Sequence, residues 1–379
     1  MKKTLLAAAL LAGFAGVAQA ETQVTLYGII DTGIAYGRFT KADGSKVTNV
    51  GMGWGGQSGS RWGMKGTEEL GDGLKAIFQL ESGFDSTNGY SGQGGRLMGR
   101  QAWVGLANAS WGQVELGRIY SAPTTLLPGA LDPFQAGWGM ANLGTTMGAL
   151  NTDRLDNGIL YVSPVFAGFQ FAGNYSFNTA DSGSGVAKNQ TNDNNRQFDL
   201  AASYTNGPVF LGASYSQLNP AHNTNTSDAT IREYVIGGAY NFGFAKLQAA
   251  YSRSTDGFIG SSVATLDSDG SPAGLSNIAG KVAAKGIKQN SYMVGFTAPI
   301  GAATNLFGSW QHSTIGKAGN LQGNWLTYGG QAQNIFSLGS TYSLSKRTNL
   351  YAVASYGKGY ANVNGQKATD VIVGIRHQF

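Results

Sequence analysis

The chain contains no cysteine, so no disulfide framework, thiol nucleophile or thiolate metal site is open to it. Histidine is nearly absent too. His222, His312 and His377 show no HExxH spacing and no partner pattern, which argues against a zinc site or a His-based triad. Charge is scarce: Asp, Glu, Lys and Arg make up 12% of residues, about half the usual ~25% share. The formal net charge is only +5, and the basic residues form no run of five, so nucleic acid finds no footprint. Long apolar runs are missing as well. The one candidate, residues 5–17, is too short to cross a bilayer as a helix, and no transmembrane helix is expected elsewhere.

What is present points to export and to strands. Lys2 and Lys3 precede the short apolar stretch, and Ala18-Gln19-Ala20 is a small-x-small cleavage site. Residues 1–20 therefore read as a signal peptide and 21–379 as a single domain beginning at Glu21, with a formal charge of +3. Glycine supplies 58 residues and aromatics 11%. High Gly, high aromatic content and low charge fit many strands joined by tight turns, and they do not fit a disordered chain.

The strands alternate. In the first segment Val24, Leu26, Ile30 and Ile34 share one parity, while Thr25, Tyr27, Asp31 and Gly33 share the other. In the last, Val371, Val373, Ile375 and Phe379 oppose Asp370, Ile372, Arg376 and Gln378. Opposite parities face opposite sides of a sheet. Segments of roughly ten residues suit tilted strands that cross a bilayer.

Connector length alternates too. Short connectors fall at 69–73, 108–112, 164–168, 206–208, 241–244, 299–304 and 345–348; long ones at 37–56, 84–99, 121–153, 178–195, 219–230, 256–286, 314–330 and 358–367. This gives sixteen segments, with both chain ends on the short-turn side. The layout is that of an all-β, 16-stranded antiparallel transmembrane β-barrel, which satisfies every backbone polar group in lipid. The competing reading is a soluble β-sandwich or β-helix, which rarely needs so many long apolar faces.

Several stretches resemble the general bacterial porins of Burkholderia- and Neisseria-like Gram-negative bacteria. They are Val24-Thr25-Leu26-Tyr27-Gly28, Ser60-Arg61-Trp62-Gly63-Met64-Lys65-Gly66, Gly99-Arg100-Gln101-Ala102-Trp103-Val104-Gly105-Leu106, Glu115-Leu116-Gly117-Arg118, Asn157-Gly158-Ile159-Leu160-Tyr161-Val162-Ser163-Pro164 and Gly374-Ile375-Arg376-His377-Gln378-Phe379. The resemblance implies a homotrimer of barrels in the outer membrane, each with an aqueous pore narrowed by an inward-folded third long loop. It implies contact with outer-membrane lipid and lipopolysaccharide, no cofactor, and a terminal Phe379 read by the assembly machinery.

The third long connector, 121–153, carries Asp132 and Asp153 and no Lys or Arg, while the adjoining strands carry Arg61, Lys65, Arg100, Arg118 and Arg154. An inward bend would set acids against a basic wall, and such charge rings select ions. Arg100 is opposite in parity to Trp103, so a lipid-facing Trp103 would turn it into the lumen. By resemblance Arg61, Arg100 and Arg154 form the basic wall, with Glu81 an acid beside it. Asp132 is the expected loop acid, although Asp132-Pro133-Phe134 stands where the family has Pro-Glu-Phe-Gly-Gly.

Tyr27, Trp103, Tyr161, Tyr175, Tyr204, Tyr240, Tyr292 and Tyr356 suit interfacial girdles. Gly51-Met52-Gly53-Trp54-Gly55-Gly56 fits GxGxxG but has no helix after it, and Asp267-Ser268-Asp269-Gly270 lacks the glutamate that closes a calcium loop. The expected function is passive diffusion of ions and small hydrophilic solutes. The rivals are a solute-specific channel, an adhesin barrel and an outer-membrane hydrolase, the last disfavoured by the few histidines.

Overall fold

The structure, a computed structural model, describes residues 23–151, 154–179, 194–221, 229–259, 282–316 and 331–379. The signal-peptide reading, Asp153, His222 and the Asp267–Gly270 pattern lie outside the described residues. Seventeen strand segments form one antiparallel sheet: β1 (Gln23–Thr40), β2 (Lys46–Trp54), β3 (Arg61–Gly71), β4 (Leu74–Gly83), β5 (Gln101–Asn108), β6 (Gly112–Tyr120), β7 (Arg154–Val162), β8 (Phe169–Ser176), β9 (Arg196–Asn206), β10 (Val209–Asn219), β11 (Ile231–Asn241), β12 (Lys246–Phe258), β13 (Val282–Ile300), β14 (Thr304–Ile315), β15 (Gln333–Ser343), β16 (Thr348–Lys358) and β17 (Lys367–Gln378). From β3 onward each pairs with the next in sequence, and β1 pairs with β17, which closes the ring.

β2 and β3 share one stave. Both pair with β1, β2 along Thr32–Thr40 and β3 along Gln23–Ile29, so the ring has sixteen staves. The break between them, residues 55–60, leaves the sheet. Here the structure corrects an expectation: residues 37–56 are no loop but a raised hairpin turning at 41–45. The GxGxxG match falls on the end of β2 and the break, with no helix following. The short connectors all lie at the end that carries Gln23 and Phe379.

Exposure is inverted relative to a soluble fold. Val24, Leu26, Ile34, Val294, Leu338 and Val373 are exposed, while Asp31, Gln289, Ser291, Gln311 and Ser313 are fully buried. Apolar side chains outward and polar ones inward is the pattern of a wall that faces lipid outside and an interior filled by side chains and water. It removes the soluble sandwich. The parities expected for β1 and β17 hold: Ile30 and Ile375 point out, Asp31 and Ile372 in.

The segment from Ser121 to Asn151 folds against the inner wall. Ser121 caps the short helix Ala122–Leu126, accepting from the Thr124 amide at 3.4 Å, and Pro123 suits its first turn. A second turn, Pro128–Leu131, and three 3₁₀ turns follow. Leu127, Leu131, Leu143, Met147 and Leu150 pack with Val235, Ala250 and Met293 of β11–β13. Phe134 and Trp138 pack with Phe307, Tyr351 and Val353 of β14 and β16. Burial of each large side chain contributes about 1.5–3 kcal/mol. Polar contacts fix the register: Gln311 Nε2 donates to the Ala141 carbonyl at 2.7 Å, Ser291 Oγ to the Thr146 carbonyl at 2.6 Å, and the Ala149 amide to Glu233 at 3.1 Å.

Candidate functional site

The site is built where β1, β3, β4, β6 and β7 turn side chains inward. In the ladder, Gly63 of β3 stands opposite both Tyr27 and Glu81. A Cβ there would lie 2.8 Å from the Tyr27 ring, so the missing side chain leaves room for Tyr27 to reach across. Tyr27 then donates to Glu81 Oε2 at 2.9 Å, and Gln79 Nε2 donates to the Tyr27 hydroxyl at 2.6 Å.

Glu81 anchors the cluster. Its other oxygen accepts from Arg100 Nε at 2.6 Å, and both partners are buried. Arg100 also donates to the Tyr120 hydroxyl at 3.2 Å, and Arg154 donates to the same oxygen at 3.5 Å while its guanidinium lies 5.2 Å from the Tyr120 ring centroid. Arg154 Nε is buried without a hydrogen-bond partner. Arg61 donates to the Gly59 carbonyl at 2.9 Å. Among the described residues Arg100 alone is ion-paired to Glu81, Arg61 lies within electrostatic reach of both, and Tyr120 is the hub between Arg100 and Arg154. Excess positive charge behind low-dielectric walls projects strongly into the adjoining water.

Lys65 is exposed on the same inward parity, its ammonium 5.7 Å from the Tyr27 ring centroid. Arg118 belongs to a second group. It pairs with Asp156, and its Nε donates to the Gly99 carbonyl at 2.8 Å. Arg96 meets the same carboxylate at 2.7 Å. Arg118 and Arg96 therefore share the single carboxylate of Asp156.

Asp132 sits elsewhere. It is 2% exposed and accepts from the amides of Phe134, Ala136 and Leu143 at 2.8, 2.9 and 3.0 Å. The cation facing it is Lys246 of β12. Burial pushes its carboxyl up to about 6, against the pull of the three amides. It organises its own loop and is not brought to the guanidinium wall.

Trp103 also differs from expectation. Its indole donates to Gln101 at 2.9 Å and packs beside Ile119 and Leu126, on the inner face, while Val104 and Leu106 face out. Arg100 precedes β5, and its ion pair with Glu81 sets its direction. Tyr27 likewise points inward, whereas Tyr161, Tyr240, Tyr292 and Tyr356 are exposed on the outer wall.

Tyr27, Tyr120, Arg96 and Asp156 were not singled out from sequence as site residues. A register shift between Gly117 and Ile119 hides the parity of Tyr120. A further buried node joins the strand break to the loop. Asp31 accepts from the Gln57 amide at 3.0 Å, the Ser58 amide at 2.7 Å and the Tyr351 hydroxyl at 2.6 Å. Tyr351 in turn meets Trp138 of the loop edge-on, centroids 5.1 Å apart.

A model of the Gram-negative porin family matches residues 7–362. An outer membrane porin protein of Bordetella pertussis is 49% identical over 397 residues, covering the whole of both chains. Outer membrane porin protein 32 of Delftia acidovorans is 31% identical over 410 residues, again end to end. The solved anion-selective porin from Comamonas acidovorans matches with a TM-score of 0.71 and 27% identity, over 95% of this chain and all of that one. The chain that forms this closed, lipid-facing ring is thus matched across nearly its full length, and it belongs to the Gram-negative porin family, as an outer-membrane channel for passive diffusion.

Proposed function

We propose that the pore favours small anions, and that Arg61, Arg100 and Arg154 carry this preference. The observation behind the proposal is that Arg61, Arg100 and Arg154 gather around Tyr120 and Glu81 with one ion pair to a carboxylate among the described residues, Arg100 to Glu81, while the loop acid Asp132 is consumed by its own backbone. Fixed charge at a narrow, poorly screened point sets ion selectivity more than total charge does. The similar Comamonas acidovorans porin is described as anion-selective, which agrees. Lys65, exposed on the inward face, adds to the positive field, and Arg118 adds less because it shares the Asp156 carboxylate with Arg96.

Transport here involves electrostatics and width, without covalent chemistry. We propose a homotrimer, exported after removal of residues 1–20 and handed to the assembly machinery through Phe379.

The test is reversal potential in planar bilayers under a salt gradient. Arg61→Ala with Arg100→Ala is expected to move it towards cations. An unchanged value would remove these residues from the selectivity determinant.

A further inference from the structure

Residues 55–60, where the glycine-rich stretch leaves the sheet after β2, touch both sides of the constriction. The segment is a tight turn. Gly55 has a φ of +64°, and a Cβ on it would lie 2.9 Å from the Gly59 Cα. A Cβ on Gly56 would meet the Tyr351 hydroxyl and Ile372 at 2.6 Å, so only glycine lets the turn close. On one side the Gly59 carbonyl accepts from Arg61 Nε at 2.9 Å, and a Cβ on Gly59 would lie 3.1 Å from Arg100 Nη1. On the other side the Gln57 carbonyl lies against Gly137 of the inner loop, beside Trp138, where no Cβ would fit. Gln57 Oε1 also accepts from Asn349 of β16 at 2.7 Å.

Asp31 moors this turn. Its Oδ2 accepts from the consecutive amides of Gln57 and Ser58, and its Oδ1 from Tyr351. Consecutive amides that converge on one point make an anion-binding concavity, here filled by the chain's own carboxylate. The backbone of Asp31 joins in. Its carbonyl accepts from the Gly55 amide at 3.0 Å, Ser60 Oγ at 3.0 Å and Ser86 Oγ at 2.8 Å, and its amide donates to Ser60 Oγ at 3.0 Å. Asp31 is fully buried, so it meets no solute itself. Arg376 of β17 is within its electrostatic reach.

We infer that Asp31 is a positioning residue for ion selectivity. It holds residues 55–60 as a strut between the guanidinium wall and the inner loop. The strut fixes where Arg61 points and how near the loop stands. The inference rests on the reading that Arg61, Arg100 and Arg154 carry the anion preference.

The sign of one shift separates positioning from charge. Removing a carboxylate, taken by itself, leaves Arg376 less opposed and the interior more positive, which favours anions. Releasing the strut frees Arg61 and the loop, which weakens the anion preference and moves selectivity towards cations.

The experiment uses the full chain folded in detergent and inserted into planar bilayers, with reversal potential read under a potassium chloride gradient. Asp31→Ala is expected to move the potential towards cations, in the direction of Arg61→Ala. Asp31→Asn keeps an oxygen for the two amides and should lie between Asp31→Ala and wild type. Tyr351→Phe removes one hydrogen bond and no charge. It should move the potential the same way by less, and it decides the matter if Asp31→Ala does not fold. Asp31→Ala combined with Arg61→Ala should shift less than the sum of the two. A shift towards anions in Asp31→Ala, full additivity with Arg61→Ala, or no rescue by Asp31→Asn would overturn the inference. If Arg61→Ala with Arg100→Ala moves the potential while the Asp31 and Tyr351 variants leave it unchanged, the inference alone fails. If that arginine pair leaves it unchanged, the selectivity reading fails and the inference with it.

Discussion

Glu81 is the residue on which the inner charge balance turns, because among the described residues it is the one carboxylate paired with Arg100. Glu81→Gln is expected to push the reversal potential further towards anions. It also leaves Arg100 buried without its counter-charge, a loss of about 3–5 kcal/mol, read as a lower urea midpoint. Asp132 makes a different prediction. Its carboxyl rises from 3.8 to about 6 on folding, so the folded loop binds the proton more tightly than the unfolded chain. Stability should then fall as pH rises between those two values and stay level above them. Asp132→Asn should flatten this dependence, seen as current noise that no longer changes between about pH 4 and 7, whereas an unaltered profile would assign the pH response to another group.

At the scale of elements, the inner loop is held by packing against an unfavourable backbone. Gln135, Ala136 and Trp138 all have positive φ, at 53°, 59° and 71°. Such conformations cost roughly 1 kcal/mol or more each for a residue with a Cβ. Trp138 persists because Phe307 and Tyr351 enclose it at 5.3 and 5.1 Å. Trp138→Ala should remove about 3–5 kcal/mol of loop docking and give larger, noisier single-channel currents, while the barrel's own unfolding midpoint moves little. This loop also shows how far the sequence could be read. Its bounds were legible, because Tyr120 and Arg154 flank a stretch with no strand alternation. The faces of β1 and β17 were legible, because one residue of slip would put Asp31 in lipid. Asp132 was not, because only the folded loop reveals that three amides claim it. Trp103 was misread because aromatic residues suit either face of a barrel, and the hairpin at 37–56 because its outward positions turn polar above the membrane.

For the whole molecule the decisive contact joins the two ends of the chain. Gly28 and Phe379 exchange backbone hydrogen bonds of 3.0 and 3.1 Å, and the Phe379 ring covers Gly28 so closely that an added Cβ would lie 2.2 Å from it. Gly28→Val should displace that ring, slow closure of the β1–β17 seam and lower the temperature at which the compact form is lost on unheated-versus-heated gels. Removing Phe379 should do the same with Gly28 intact, and normal assembly of both variants would show that the seam closes without this contact. The pairing of β1 with β17 spans almost the whole chain, and such non-local contacts form late. A barrel folded without β17 would leave β1 and β16 as raw sheet edges. The seam thus makes the last strand a lock: without it the wall would stay open along its whole height, with unpaired amides and carbonyls facing lipid.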